Sequence, residues 1–197
     1  MRVAIFSYNA GNTRSVAFAF ERLGAEVVVS AAPEVLMGAD RVVFPGVGHA
    51  RSAMDYLQQH GLDRLLGQLR QPVLGICLGL QLMCRHSEEG NTSALGIFPV
   101  AVKRFSPEAV EKVPHMGWNN IQSTQGKLFA GIGAQDFFYF VHSYYADPDP
   151  RYTIAEATYG HRFGAALQKD NFWAVQFHPE KSAAAGERLL QNFLAIA

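Results

Sequence analysis

The first half of the chain alternates short apolar blocks with longer stretches of helical periodicity. Val3-Ala4-Ile5-Phe6, Val27-Val28-Val29 and Arg41-Val42-Val43-Phe44 are runs too short for helices, and they suit strands buried on both faces. Gln71-Pro72-Val73-Leu74-Gly75-Ile76 reads as a fourth strand. Between them, Thr13 to Leu23 places Val16, Phe20 and Leu23 at helical spacing. Ala53 to Leu69 reads as one or two helices broken near Gly61. Strands alternating with helices predict an α/β fold: an open, mostly parallel sheet flanked by helices.

The second half has a different rhythm. Ile97 to Phe105, Gly117 to Gln122, Phe137 to Val141, Tyr152 to Thr158, Phe163 to Lys169 and Phe172 to Phe177 all have strand character. Asp170-Asn171 between the last two is a hairpin signal. Additional antiparallel or mixed strands are therefore expected in this half. Ser182 is expected to cap a final helix whose apolar face is Leu189, Leu190, Phe193 and Leu194. With no internal repeat, linker or low-complexity tract, residues 1–197 are expected to form one domain.

Composition narrows the partners rather than the fold. Apolar residues make up 49% and charged residues 17% of 197, ordinary for a folded chain with a real core. Lys+Arg and Asp+Glu are both 17, so neither nucleic acid nor a strongly acidic surface is an expected partner. No run approaches the roughly 18 apolar residues of a membrane span, and the N-terminal apolar run is too short for a signal peptide. Cys77 and Cys84 would lie two turns along one helix, too far for a disulfide. These features fit a reducing, cytoplasmic setting away from membranes. No H-x-x-x-H or C-x-x-C spacing suggests a metal, and no cofactor is expected.

The chemistry is concentrated in two blocks. Gly75-Ile76-Cys77-Leu78-Gly79 sits between a strand-like and a helix-like run, a nucleophile elbow with cysteine as the nucleophile. Glycines flank it because side chains would collide in so tight a turn. The N-terminus of the following helix would favour thiolate over thiol. Gln176-Phe177-His178-Pro179-Glu180 follows the last strand. In an extended segment His178 and Glu180 would share a face, so the carboxylate could orient the imidazole toward the thiol. A lone histidine is more simply a satisfied core residue; beside an elbow cysteine it is a candidate base in a Cys77–His178–Glu180 triad. Acyl transfer also needs an oxyanion hole, for which the N–H of Leu78 and the Gly46-Val47-Gly48 turn are candidates.

Gly75-Ile76-Cys77-Leu78-Gly79-Leu80-Gln81, followed much later by His178-Pro179-Glu180, resembles the class I, triad-type glutamine amidotransferases along essentially the whole chain. Pro45-Gly46-Val47-Gly48-His49, Pro114-His115-Met116-Gly117-Trp118-Asn119, Tyr139-Phe140-Val141-His142-Ser143-Tyr144 and residues 176–182 are further similar to the glutaminase subunits of imidazole glycerol phosphate synthases. The resemblance implies a free-standing glutaminase with L-glutamine as substrate and a (β/α)8-barrel cyclase subunit as partner. It implies that Gln81 and Glu89 hold the substrate and that backbone groups of Ser143 and Tyr144 contact its carboxylate. It also places Asn12, Trp118, Asn119, Tyr139 and Lys181 at the partner face or the ammonia passage. Weak glutaminase activity is expected without the partner. The alternatives are a glutaminase subunit of another pathway, a γ-glutamyl hydrolase-like Cys-triad enzyme, or a non-catalytic scaffold. His49, His60, His86 and His161 receive no partner, His115 and His142 no chemistry, and Cys84 only a packing role.

Overall fold

A computed structural model describes every residue except Ala10, Glu111 and Ala197. The first half folds as β1 (Arg2–Phe6), α1 (Thr13–Arg22), β2 (Glu26–Ser30), α2 (Pro33–Met37), β3 (Arg41–Gly46), α3 (Ala50–Gln59), α4 (Asp63–Leu66), β4 (Val73–Cys77) and α5 (Leu78–Met83). The second half adds β5 (His86–Ser87), β6 (Thr92–Ser93), β7 (Ala101–Arg104), β8 (His115–Asn120), β9 (Phe137–His142), β10 (Tyr144–Ala146), β11 (Thr153–Tyr159), β12 (His161–Lys169), β13 (Phe172–Val175) and α6 (Ala183–Ala195). Short 3-10 turns occupy Lys127–Phe129 and Pro179–Lys181.

The main sheet runs β2-β1-β3-β4-β13-β12-β10-β7-β5-β6, with β11 paired to β12. Its first five strands are mutually parallel, and the apolar runs of β1, β3 and β4 are buried on both faces, as continuous apolar blocks require. One core lies where α1 and α6 cover the sheet, around Ile5, Phe20, Leu74 and Phe193. The other lies under α3, α4 and α5, around Phe6, Phe44, Leu57 and Leu66. β8 and β9 form a separate antiparallel ribbon.

Several local expectations are revised. The strand expected from Ile97 begins at Ala101, because Pro99 has no N–H for the ladder and Phe98 bonds to the Met83 carbonyl instead. α5 is only six residues long, so Cys77 and Cys84 stand at its two ends rather than two turns along it; both are free thiols. Ser182 occupies the N-cap of α6 but makes no capping bond. Its hydroxyl donates to the His178 carbonyl (2.6 Å) and accepts from the Tyr139 N–H (2.9 Å). The Asp170-Asn171 hairpin forms as expected, with Asp170 at φ 52°.

Candidate active site

Three strands side by side create the site. β4 pairs with β3 on one flank and β13 on the other, all parallel, with Gly46 opposite Cys77 and Val175 opposite Ile76. Gly46, Cys77 and Gln176 therefore leave the sheet at the same level. Three blocks far apart in sequence meet at the carboxyl ends of adjacent strands, where open α/β sheets place their ligands.

At the end of β4 the backbone turns sharply: Cys77 adopts φ 54°, ψ −106°, a costly conformation for a residue with a Cβ. The turn closes because Gly79 lies against the Phe44 carbonyl, where a Cβ would collide with the oxygen. The Cys77 sulfur lies 3.7 Å from Gln176 Nε2 and 3.9 Å from the Val141 carbonyl.

His178 follows β13, and its Nδ1–H donates to Glu180 Oε1 at 2.7 Å with both side chains fully buried. Nε2 is buried and makes no conventional hydrogen bond. Burial disfavours the imidazolium, but Cys77 on one side and Glu180 on the other outweigh it, and the ring's pKa is pushed up to about 10. The backbone reason expected for this pairing is not the one observed. Residues 179–181 form a 3-10 turn opened by Pro179, so Glu180 curls back onto His178 rather than following it along a strand. Asn12, at φ 76°, donates its amide to the same Glu180 oxygen at 2.5 Å. Its side chain is thus committed inward and does not cap α1.

A cavity of about 300 Å³ opens above the sulfur, with Val47, Gly48, Leu78, Gln81 and Glu89 around it and residues 141–144 as a further wall. Gln81 is buried one helical turn from Cys77 and donates to the Tyr144 carbonyl (2.9 Å) and to Gln176 Oε1 (3.1 Å). Glu89 accepts the Ala50 N–H, at the start of α3, at 2.6 Å. The Leu78 N–H is among the first of α5, where no intrahelical carbonyl is available. Gly46 is absent from the cavity wall. It is buried beneath, where a Cβ would strike the Tyr8 hydroxyl.

The residues expected at a partner face lie on or beside the β8–β9 ribbon. Met116 faces Val141, Trp118 faces Tyr139 and Asn120 faces Phe137, so these six share one side. Met116, Trp118 and Phe137 are 63%, 55% and 50% exposed, although Trp118 alone would more often be a core residue. Trp118 meets Tyr139 edge-on at 6.1 Å, and Lys181 Nζ lies 6.0 Å from the centre of the Tyr139 ring. Asn119 points to the opposite side, with His115.

Sequence reasoning passed over Gln176, His115 and His142. The same-face rule applied to His178 and Glu180 would have pointed backward to Gln176, two residues before His178. His115 and His142 carried no local signal, because they meet only through the ribbon pairing. Three other histidines do have partners: His49 accepts the Arg51 N–H at the start of α3, His60 bonds to the Tyr56 carbonyl and His86 to Asn91. Among the described residues no group of three or more His, Cys, Asp or Glu could hold a metal ion, and no helix is long and apolar enough to cross a membrane.

The chain as a whole has counterparts among known proteins. The family model for class-I glutamine amidotransferases matches residues 5–197, and the chain belongs to that family. It is therefore a glutamine amidotransferase, an enzyme. Within the family it groups with proteins named imidazole glycerol phosphate synthase subunit HisH. It is 59% identical over 197 residues to that of Bacteroides thetaiotaomicron and 48% identical over 198 residues to that of Pectobacterium atrosepticum, in each case covering 100% of both chains. The fold likeness extends to distant structures. A crystal structure of a glutamine amidotransferase is 18% identical with TM-score 0.75, covering 98% of this chain and 97% of that one. The glutaminase domain of Trypanosoma brucei CTPS is 16% identical with TM-score 0.67, covering 100% and 95%.

Proposed function

We propose that the chain is the glutaminase subunit of imidazole glycerol phosphate synthase, acting in histidine biosynthesis. It hydrolyses L-glutamine at Cys77 and passes ammonia to a (β/α)8-barrel cyclase subunit. The carrying observation is the buried His178–Glu180 pair beside a cysteine held on a strained turn, under a cavity that Gln81 also lines.

The Cys77 thiolate adds to the carboxamide carbon of glutamine. The resulting oxyanion is received by the Leu78 N–H and by an N–H of the Gly46–Val47–Gly48 segment. His178, a strong proton holder in this setting, gives its Nε2 proton to the departing nitrogen, and ammonia leaves. The glutamyl thioester remains. Neutral His178 then takes a proton from water, whose oxygen attacks the thioester carbon. Glutamate leaves, and thiolate and imidazolium are restored. Glu180 keeps Nε2 aimed at the sulfur, and Asn12 steadies Glu180. Gln81, Glu89 and the backbone of Ser143 and Tyr144 hold the amino-acid end of the substrate.

Met116, Trp118, Phe137 and Tyr139, with Lys181, form the docking face for the cyclase. Their ribbon reaches the site directly, since the Tyr139 carbonyl accepts the His178 N–H at 2.9 Å. The test is glutamine hydrolysis measured with and without the barrel cyclase and its nucleotide substrate. Strong stimulation and glutamine-dependent cyclisation are expected. Failure to co-purify with the cyclase would exclude the pathway assignment, and unchanged hydrolysis by Cys77→Ala in the complex would exclude the nucleophile.

A further inference from the structure

His115 and His142 are 4% and 5% exposed; His142 lines the glutamine cavity, His115 stands behind it, and the mechanism above assigns neither a part. Their hydrogen bonds have only one consistent direction. A carbonyl can only accept, so the 2.7 Å contact between His142 Nδ1 and the Tyr144 carbonyl puts the proton on Nδ1. In the neutral ring Nε2 is then an acceptor, and it faces His115 Nδ1 at 3.0 Å, which must donate. That leaves His115 Nε2 as an acceptor, with Asn119 Nδ2 3.4 Å away. Asn119 is itself pinned: its Nδ2 donates to the Thr158 carbonyl (2.9 Å), and its Oδ1 accepts the Asn120 N–H (2.9 Å). Along Asn119, His115 and His142, each donor in turn points to the next group, ending at the Tyr144 carbonyl.

The far end of this chain matters because of where Tyr144 sits. The Phe105 N–H bonds to the Ser143 carbonyl at 3.0 Å, so Tyr144, opposite Arg104, is at a position outside the β7–β10 ladder bonds. In a strand the N–H and C=O of such a residue point to the same side. The carbonyl is held by two donors, His142 and Gln81, and the Tyr144 N–H accordingly faces the cavity that Gln81 lines.

We propose that His142, and His115 through it, are positioning residues for glutamine binding: a one-way chain of hydrogen bonds, Asn119 to His115 to His142 to the Tyr144 carbonyl, that aims the Tyr144 N–H at the substrate carboxylate. This rests on the assignment of Tyr144 and Gln81 to the substrate. The surroundings keep the chain intact. His115 is stacked between Tyr159 (4.2 Å) and Phe140 (4.9 Å), and His142 lies against Phe105 and Phe163. Burial holds both rings neutral, and an added proton would set two N–H groups against each other.

The experiment is steady-state glutamine hydrolysis by the complex with the cyclase subunit, together with alkylation of Cys77 by iodoacetamide. Loss of one bond to a buried carbonyl predicts that His142→Leu raises KM for glutamine about 10- to 100-fold, leaving kcat within about threefold. His115→Leu raises it less, about 3- to 10-fold. The iodoacetamide rate, which needs no carboxylate site, stays within about twofold in both. His142→Asn, whose amide can replace the Nδ1–H, brings KM back to within about threefold of the parent. Long-range nitrogen–proton spectra at pH 7 show both rings neutral with the proton on Nδ1. A proton on Nε2 of either ring overturns the proposal, as does failure of the asparagine to rescue. KM raised by Gln81→Leu but not by His142→Leu overturns the chain alone. KM moved by neither overturns the glutamine placement, and the role of the chain with it.

Discussion

Two pairs of buried side chains, His178 with Glu180 and His115 with His142, hold protons in opposite ways. His178 is buried beside a carboxylate and a cysteine sulfur, and its pKa is pushed up to about 10. His142 is just as enclosed, but its neighbours are a carbonyl, another imidazole and aromatic rings, and its pKa is pushed down to about 3. His115 follows it, down to about 4. Burial penalises the charged ring at both places; the groups that accept its hydrogen bonds decide the outcome. In the mechanism proposed above, one site stores a proton for delivery to a leaving group, whereas the other uses fixed, neutral donors to hold a peptide still. A histidine's residue type and depth therefore say little about its task until its partners are known.

The largest way to break this contrast is to remove the sulfur. Cys77→Ala should lower glutamine hydrolysis by about 10⁴-fold or more, and His178 should titrate lower because one neighbour that holds its proton is gone. Kinetic assay and imidazole titration by NMR read the two effects separately. Glu180→Gln comes next, with kcat/KM down about 10²- to 10³-fold and the His178 midpoint moved from about 10 toward 6.5. If the ribbon is the docking face proposed above, Trp118→Ala should weaken binding of the partner subunit about 10- to 100-fold by calorimetry, since an exposed aromatic at the centre of an apolar face is a natural hot spot. Asn12→Ala removes one bond to a carboxylate that keeps its imidazole partner, so kcat/KM should fall only about 3- to 10-fold.

The pH dependence of folding sharpens the same contrast. The unfolded chain protonates histidines near 6.5, while the folded chain resists protonating His115 and His142. Their contribution to stability is complete above about pH 6.5 and is lost as pH falls toward 4 for His115 and 3 for His142. His178 works the other way: its contribution is complete below 6.5 and drains away as pH rises through about 10. Chemical denaturation across this range should show an acid limb that flattens in His115→Leu/His142→Leu and an alkaline limb that flattens in Glu180→Gln.

The contrast also marks which features were visible in the sequence. The glycines around Cys77 announced a sharp turn, although the severest constraint comes from the neighbouring strand: a Cβ on Gly79 would strike the Phe44 carbonyl of β3. The alternation of β1 to β4 with helices was equally legible, because burial on both faces leaves an unbroken apolar run. The pairing of His178 with Glu180 was anticipated for the wrong backbone reason, an extended segment where the chain makes a 3-10 turn. Gln176 was overlooked because its importance comes from the register of β13 against β4, which sets its amide 3.7 Å from the Cys77 sulfur. The relation of His115 to His142 was invisible, since antiparallel pairing of β8 with β9 joins residues far apart in the chain.

What the sequence determined by itself was what local sterics and periodicity can encode: the α/β rhythm, the elbow, and the candidate thiol, imidazole and carboxylate. Tertiary structure decided which strand ends stand side by side, which rings keep or refuse a proton, and which aromatic residues face outward. Those outcomes depend on contacts between distant segments and on the water they exclude. The charge of a buried histidine exists only once its neighbours have been brought to it.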